Sequence, residues 1–162
     1  MPTDKLYSDY EKLLLRNIRI YSKRIQRLYN NAIVQVSLSA STVKYTGQTF
    51  TLDLYPAIKT KIDNVLAEMQ REMKQTINRA TAETWKMSNL KNDTMVRTAL
   101  GKRRFSKEFT NQIFDPNDRA LAAFQRRRDN GIDLSKRIWK LIKPFKHELE
   151  AGLADGIAKG RS

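Results

Sequence analysis

Gly131-Ile-Asp-Leu-Ser-Lys-Arg-Ile-Trp-Lys-Leu-Ile-Lys-Pro-Phe-Lys-His-Glu-Leu-Glu-Ala-Gly-Leu-Ala-Asp-Gly-Ile-Ala-Lys-Gly-Arg-Ser162 is the stretch on which the fold turns. Its apolar residues, Leu134, Ile138, Ile142, Phe145, Leu149, Leu153 and Ile157, recur in steps of three and four. That spacing lays them along one side of a helix, and Asp133 or Ser135 supplies an oxygen to cap its start. Pro144 has no N–H and crowds the preceding turn, so a kink or restart is expected there. Gly152, Gly156 and Gly160 recur every four residues and strip one ridge of side chains, so that another backbone can approach. The plainer alternative is that glycine only weakens this helix and Gly160 ends it. A membrane span is not expected, because Asp155 and Lys159 lie between the glycines and no apolar run approaches the ~20 residues that a span requires.

The same periodicity extends outward through the chain. Over residues 4–35, Tyr7, Tyr10, Leu14, Ile18, Tyr21, Ile25, Leu28 and Ala32 form a stripe, with Lys12, Arg16, Arg19, Lys23 and Arg27 as a cationic rail roughly opposite. Tyr7, Tyr10 and Tyr21 lie in the stripe and Tyr29 on its flank, which favours packing over base stacking. Residues 36–55 are rich in Ser, Thr, Val and Tyr around Gly47, which predicts a short β-hairpin or extended arm. Pro56 opens a second long helix, residues 56–100, striped by Ile58, Ile62, Val65, Met69, Met73, Ile77, Ala80, Trp85 and Met87 and expected to continue brokenly to Leu100 before Gly101. The methionines fit either gap-filling in a core or an adaptable groove. Helices 4–35 and 56–100 should pair antiparallel as a hairpin, with Tyr10, Leu14, Tyr21, Ile25 and Leu28 facing Ile58, Ile62, Val65, Met69 and Ile77. Phe105, Phe109, Ile113 and Phe114 suggest a brief helix. Asp115 as N-cap with Pro116 in the first turn then opens the C-terminal helices, 116–162, the first ending in Arg126-Arg127-Arg128.

These elements predict an all-α fold, an elongated bundle of amphipathic helices forming a single domain over residues 1–162. A chain of 162 residues, 40% hydrophobic and 30% charged, is ordered and helix-rich by composition. It has no cysteine, which excludes a disulfide framework and a thiolate metal site. Asp4, Asp9 and Glu11 fall where a secretory leader needs cations and an apolar run, so no export is expected. The formal charge of +14 is spread over every helical segment and is not confined to a tail, so a polyanion would meet a folded cationic surface. Solvation alone also accounts for charged faces. The run Arg126, Arg127 and Arg128 fits phosphate contact and a helix C-terminus equally well.

No catalytic constellation meets its spacing requirement, and no enzyme activity, cofactor or metal is expected. His147, the sole histidine, shares a polar face with Lys136, Lys140 and Lys143 and has no second ligand nearby in sequence. Asp115, Asn117 and Asp118 superficially match a calcium loop, but Arg119 occupies the fifth position and neither the sixth-position glycine nor the twelfth-position glutamate follows. The glycines at 152, 156 and 160 lie on a helix and not after a strand, so they are no phosphate loop.

Gly131-Ile-Asp-Leu-Ser-Lys-Arg-Ile-Trp139, followed by Glu148-Leu-Glu-Ala-Gly-Leu-Ala-Asp-Gly-Ile-Ala-Lys-Gly-Arg-Ser162, resembles the N-terminal helical region of tailed-phage minor head proteins, the Mu F-like or head-morphogenesis family. The form it resembles most occurs in phages of Bacteroides-type bacteria. Asp53-Leu-Tyr-Pro-Ala-Ile58, Thr84-Trp-Lys-Met-Ser-Asn89, Lys91-Asn-Asp93 and Arg119-Ala-Leu-Ala-Ala-Phe-Gln-Arg126 are similar too, so the likeness spans most of the chain. Family members usually continue into a domain with a cysteine- and histidine-bearing motif. Nothing here matches that domain, and its function is not carried over. The resemblance implies a virion structural protein inside the head near the portal, present in the host cytoplasm during assembly and taking part in head assembly and DNA packaging or delivery. Its implied partners are the portal protein, in several copies around the ring, other head proteins, and packaged DNA held non-specifically.

Against that stands a free-standing basic helical protein that binds nucleic acid non-specifically, with an enzyme's non-catalytic accessory domain as a third reading. The residues expected to meet nucleic acid are Lys12, Arg16, Arg19, Lys23, Arg27, Arg126, Arg127 and Arg128. Those expected at a protein interface are Phe109, Phe114, Trp139, Gly152, Gly156 and Gly160.

Overall fold

The computed structural model of the chain describes residues 2–43, 52–101 and 103–159. The described residues are all-α, with five helices: α1 (Pro2–Ala40), α2 (Pro56–Leu100), α3 (Lys107–Ile113), α4 (Asp118–Arg126) and α5 (Leu134–Ala158). A 3₁₀ turn at Leu52–Leu54 precedes α2. The helices group into two compact units, Met1–Ser22 with Ile77–Arg127 and Lys23–Thr76 with Arg128–Ser162.

In the second unit three helical segments enclose a core. Gln70 on α2 donates to the Ser135 carbonyl (2.9 Å) and Lys146 reaches Asp63 (2.6 Å), so α2 and α5 run antiparallel. Tyr29 meets Phe145 edge-on at 4.8 Å, and beyond it Val36 and Ala40 lie beside Leu153 and Ile157, so α1 and α5 run parallel. The buried side chains are those at helical spacing: Leu28, Ala32, Val36 and Ala40 from α1, Ile58, Ile62, Leu66, Met69 and Met73 from α2, and Ile138, Ile142, Leu153 and Ile157 from α5. Met69 and Met73 thus fill a core. Of the residues expected to set the register of the first two helices, Leu28, Ile58, Ile62 and Met69 are buried here, while Ile25 and Val65 are half-buried.

In the first unit α1 and α2 pair antiparallel through polar contacts. The Tyr10 hydroxyl and Ser88 hydroxyl lie 2.7 Å apart, Asn17 donates to the Met87 sulfur at 3.0 Å, and the Lys91 ammonium sits 4.6 Å from the centre of the Tyr10 ring. Trp85 and Asn89 donate to the Pro116 carbonyl (2.8 and 2.9 Å) and Gln125 to the Asn78 carbonyl (2.9 Å), which seats α4 on α2. Tyr21 is buried, Tyr10, Leu14 and Ile77 are half-buried, and Tyr7 and Ile18, expected in the stripe, are exposed.

Several boundaries differ from expectation. The arm predicted over 36–55 is helical through Ala40, and residues 44–51 lie outside the described residues. Ala32, Val36 and Ala40 extend the buried stripe, and the hydroxyls that suggested a strand are absorbed locally: Ser39 donates to Gln35 (2.7 Å), Ser41 to Leu38 (2.8 Å) and Thr42 to Ser39 (2.7 Å). α2 continues without a break to Leu100, and α5 passes Pro144 without a restart, its first turns capped by the Asp133 carboxylate. Neither Asp115 nor Pro116 starts α4. Asn117 caps it instead, accepting from Ala120 at 3.2 Å, because the Pro116 carbonyl is held by Trp85 and Asn89. Asn130-Gly131 makes a tight reversal, with φ of 51° and 74° and reciprocal 3.0 Å hydrogen bonds between Asp129 and Ile132. Positive φ at both central residues suits an Asn-Gly pair.

Candidate functional site

In the second unit a groove of about 360 Å³ runs along α1 and α5. Val36, Ala40, Leu153 and Ile157, all buried, form its floor, and the exposed Ile33, Ser37, Glu148 and Gly152 lie along its edges. The α5 stripe supplies the apolar wall, and the lack of side chains at Gly152 and Gly156 keeps one edge low. A Cβ built at Gly152 would meet nothing within 4 Å, so packing among the described residues does not require glycine there. Gly156 is half-exposed, and Gly160 lies outside the described residues.

The other residues expected at an interface are elsewhere. Trp139, 38% exposed, borders a hollow of about 650 Å³ between α2 and α5 with Asp63, Ala67, Gln70, Asp133, Ser135, Lys136 and Lys146. Phe109 and Phe114 belong to the first unit. Phe109 stacks on Phe105 at 5.0 Å, and Phe114 is half-buried under the Arg97 guanidinium, 4.0 Å from its ring centre.

The expected cations are all exposed. Lys12, 3.8 Å from Asp9, Arg16 and Arg19 lie in the first unit, Lys23 and Arg27 in the second. Arg16, Arg19, Lys23 and Arg27 form no ion pair with a described residue, which leaves their charge available to a polyanion. Arg126 sits in the last turn of α4 and Arg127 caps it, with its guanidinium 3.9 Å from the Phe124 ring. That is the helix-end arrangement their charge suits, with one guanidinium already engaged. Arg128 lies in the second unit, where it helps hold the Asp133 carboxyl below the usual range. The larger cause there is the backbone N–H of Lys136, donated at 2.8 Å, with Lys136 and Lys74 adding their charge.

His147 is exposed on α5 with Glu150 3.8 Å away, and no group of three His, Cys, Asp or Glu side chains able to hold a metal occurs among the described residues. No described helix is long and apolar enough to cross a membrane. Two parts of this surface were not legible beforehand. The α1 wall of the groove was hidden because residues 36–40 read as strand, although the four-residue spacing of Ala32, Val36 and Ala40 carried the signal. The hollow beside Trp139 depends on α2 side chains more than sixty positions away in sequence. Compared with known proteins, the chain matches no family model, no characterised protein and no solved structure.

Proposed function

We propose that the chain is a non-enzymatic structural protein of a tailed-phage head, docked at the portal vertex through the α1–α5 groove, with its cationic faces toward packaged DNA. The observation that carries this reading is the groove itself. At Gly152 its low edge is unused by packing among the described residues, and its α5 side is built by the segment, Glu148 to Lys159, that carries the resemblance to minor head proteins. Helix ridges without side chains let a partner backbone come close, and an open apolar groove is a natural seat for one. The test is Gly152→Leu. In the isolated chain its Cβ meets nothing within 4 Å among the described residues and leucine favours a helix over glycine, so helix content is retained or raised, while incorporation into heads is lost. Normal incorporation, or a head reconstruction placing the protein away from the portal vertex, overturns the reading.

The exposed, unpaired cations favour the alternative of a free nucleic-acid binder. Under either reading DNA contact is non-specific and driven by counterion release, so affinity falls steeply with salt. Glutamine at Lys12, Arg16, Arg19, Lys23 and Arg27 together should flatten that dependence. An unchanged slope removes the rail from the contact surface.

A further inference from the structure

We propose that the second unit carries a site for single-stranded nucleic acid, with an unpaired base lying against Trp139 and neighbouring phosphates on Lys136, Lys140 and Lys143. The two tryptophans of the chain are held differently. The indole N–H of Trp85 is committed to the Pro116 carbonyl at 2.8 Å, whereas that of Trp139 has no partner among the described residues and its side chain stands 38% exposed on a rigid helix. The hollow it borders, about 650 Å³, falls within the range of small-ligand sites, roughly 300–1,000 Å³, and has room for a nucleotide.

The charges around the hollow are sorted in a way that favours an anion. Of its two acids, Asp63 is ion-paired with the Lys146 ammonium at 2.6 Å, and Asp133, which caps α5 through the Lys136 N–H at 2.8 Å, has its charge offset by Lys136, Lys74 and Arg128 nearby. Lys140 and Lys143 have no ion-pair partner among the described residues. With Lys136 they occupy one face of α5, about 6 and 4.5 Å apart along the axis, as a cationic track leading away from the hollow. Gln70, whose amide N–H₂ is held by the Ser135 carbonyl at 2.9 Å, keeps its oxygen to accept from a base amine. An indole face beside a row of lysines is the combination that binds unpaired strands: stacking takes any base, and the cations track the backbone. In a duplex the base faces are covered by one another, so Trp139 would gain nothing from it. The site stands on the geometry of the second unit and does not depend on the virion reading.

The experiment titrates the full chain with fluorescein-labelled oligothymidine and with a duplex of equal length at low salt, reading anisotropy and tryptophan emission. The single strand quenches tryptophan emission, and Trp139→Ala weakens its binding about tenfold while leaving duplex binding unchanged. Trp139→Phe retains a stacking face and most of the affinity, which guards against a folding artefact. Replacing Lys136, Lys140 and Lys143 by glutamine, all at exposed positions, weakens the single strand and flattens its salt dependence. Wild-type affinity in Trp139→Ala, a parallel loss for duplex, or an unaltered lysine variant overturns the proposal. None of these outcomes bears on incorporation into heads.

Discussion

The two units use similar helices and reach different degrees of burial. In the second, segments of α1, α2 and α5 converge, and Val36, Ile62, Leu66, Ile138 and Ile142 are each less than 2% exposed. In the first, α1 and α2 pair with only the short α3 and α4 for company, and Tyr21 is the one described apolar side chain that is buried. Leu13, Leu15, Ile18 and Ile20 stay exposed there, as do Phe105, Phe109, Ile113 and Phe124. The difference is geometric. Two helices cover one stripe of each other, and a residue on that stripe keeps water on its flanks until a third helix closes the trough. The first unit compensates with polar and cation–π contacts, Tyr10 to Ser88 and Lys91 over Tyr10, which contribute less than a dry core.

The largest effect should come from the core. Ile142→Ala or Leu66→Ala should cost about 2–5 kcal/mol, read by chemical denaturation, since both side chains are enclosed. Leu14→Ala, half-buried in the first unit, should cost about half as much. Equal costs would break the contrast between the units. Hydrogen exchange sharpens the same point: amides of Tyr10–Arg19 should exchange faster than those of Ile58–Met73, because sparse apolar burial lowers the free energy of local opening.

Glycine substitutions give a smaller, signed test within the second unit. Gly131 has φ of 74°, so Gly131→Ala should destabilise by about 1 kcal/mol. Gly152 lies inside α5 with open space where a Cβ would stand, so Gly152→Ala should stabilise by about 0.5–1 kcal/mol. A destabilising Gly152→Ala would mean that the groove is covered within the chain itself.

The smallest effect distinguishes the caps. The folded Asp133 carboxyl is held below its ordinary value by the Lys136 N–H and the surrounding cations, so its contribution is present above the unfolded carboxylate pKa and is lost as pH falls through the lower, folded one. Asn117, the cap of α4 in the first unit, does not titrate. Acidification should therefore fray the start of α5 and spare that of α4, as followed by NMR. Asp133→Asn should remove this part of the pH dependence, and equal fraying of both starts would exclude the cap as its source.

The all-α class, the opening of α2 at Pro56, a cap at Asp133 or Ser135 and the α5 stripe from Leu134 to Ile157 were set by the sequence alone. Period and capping are local: residues three and four apart share a face whatever the rest of the chain does. Tertiary structure decided what those faces meet. The run Val36–Ala40 has the composition of a strand and is helical because its four-residue spacing fits a core completed by α5, more than ninety positions later. α4 starts at Asp118 because Trp85 and Asn89, some thirty residues upstream, hold the Pro116 carbonyl. The near-identical stripes of α1 on either side of Ser22 end in different states, Leu14 half-wet and Val36 dry, because a third helix reaches only one of them. A helix encodes the direction in which its apolar side points, and only long-range packing determines whether water is excluded from it.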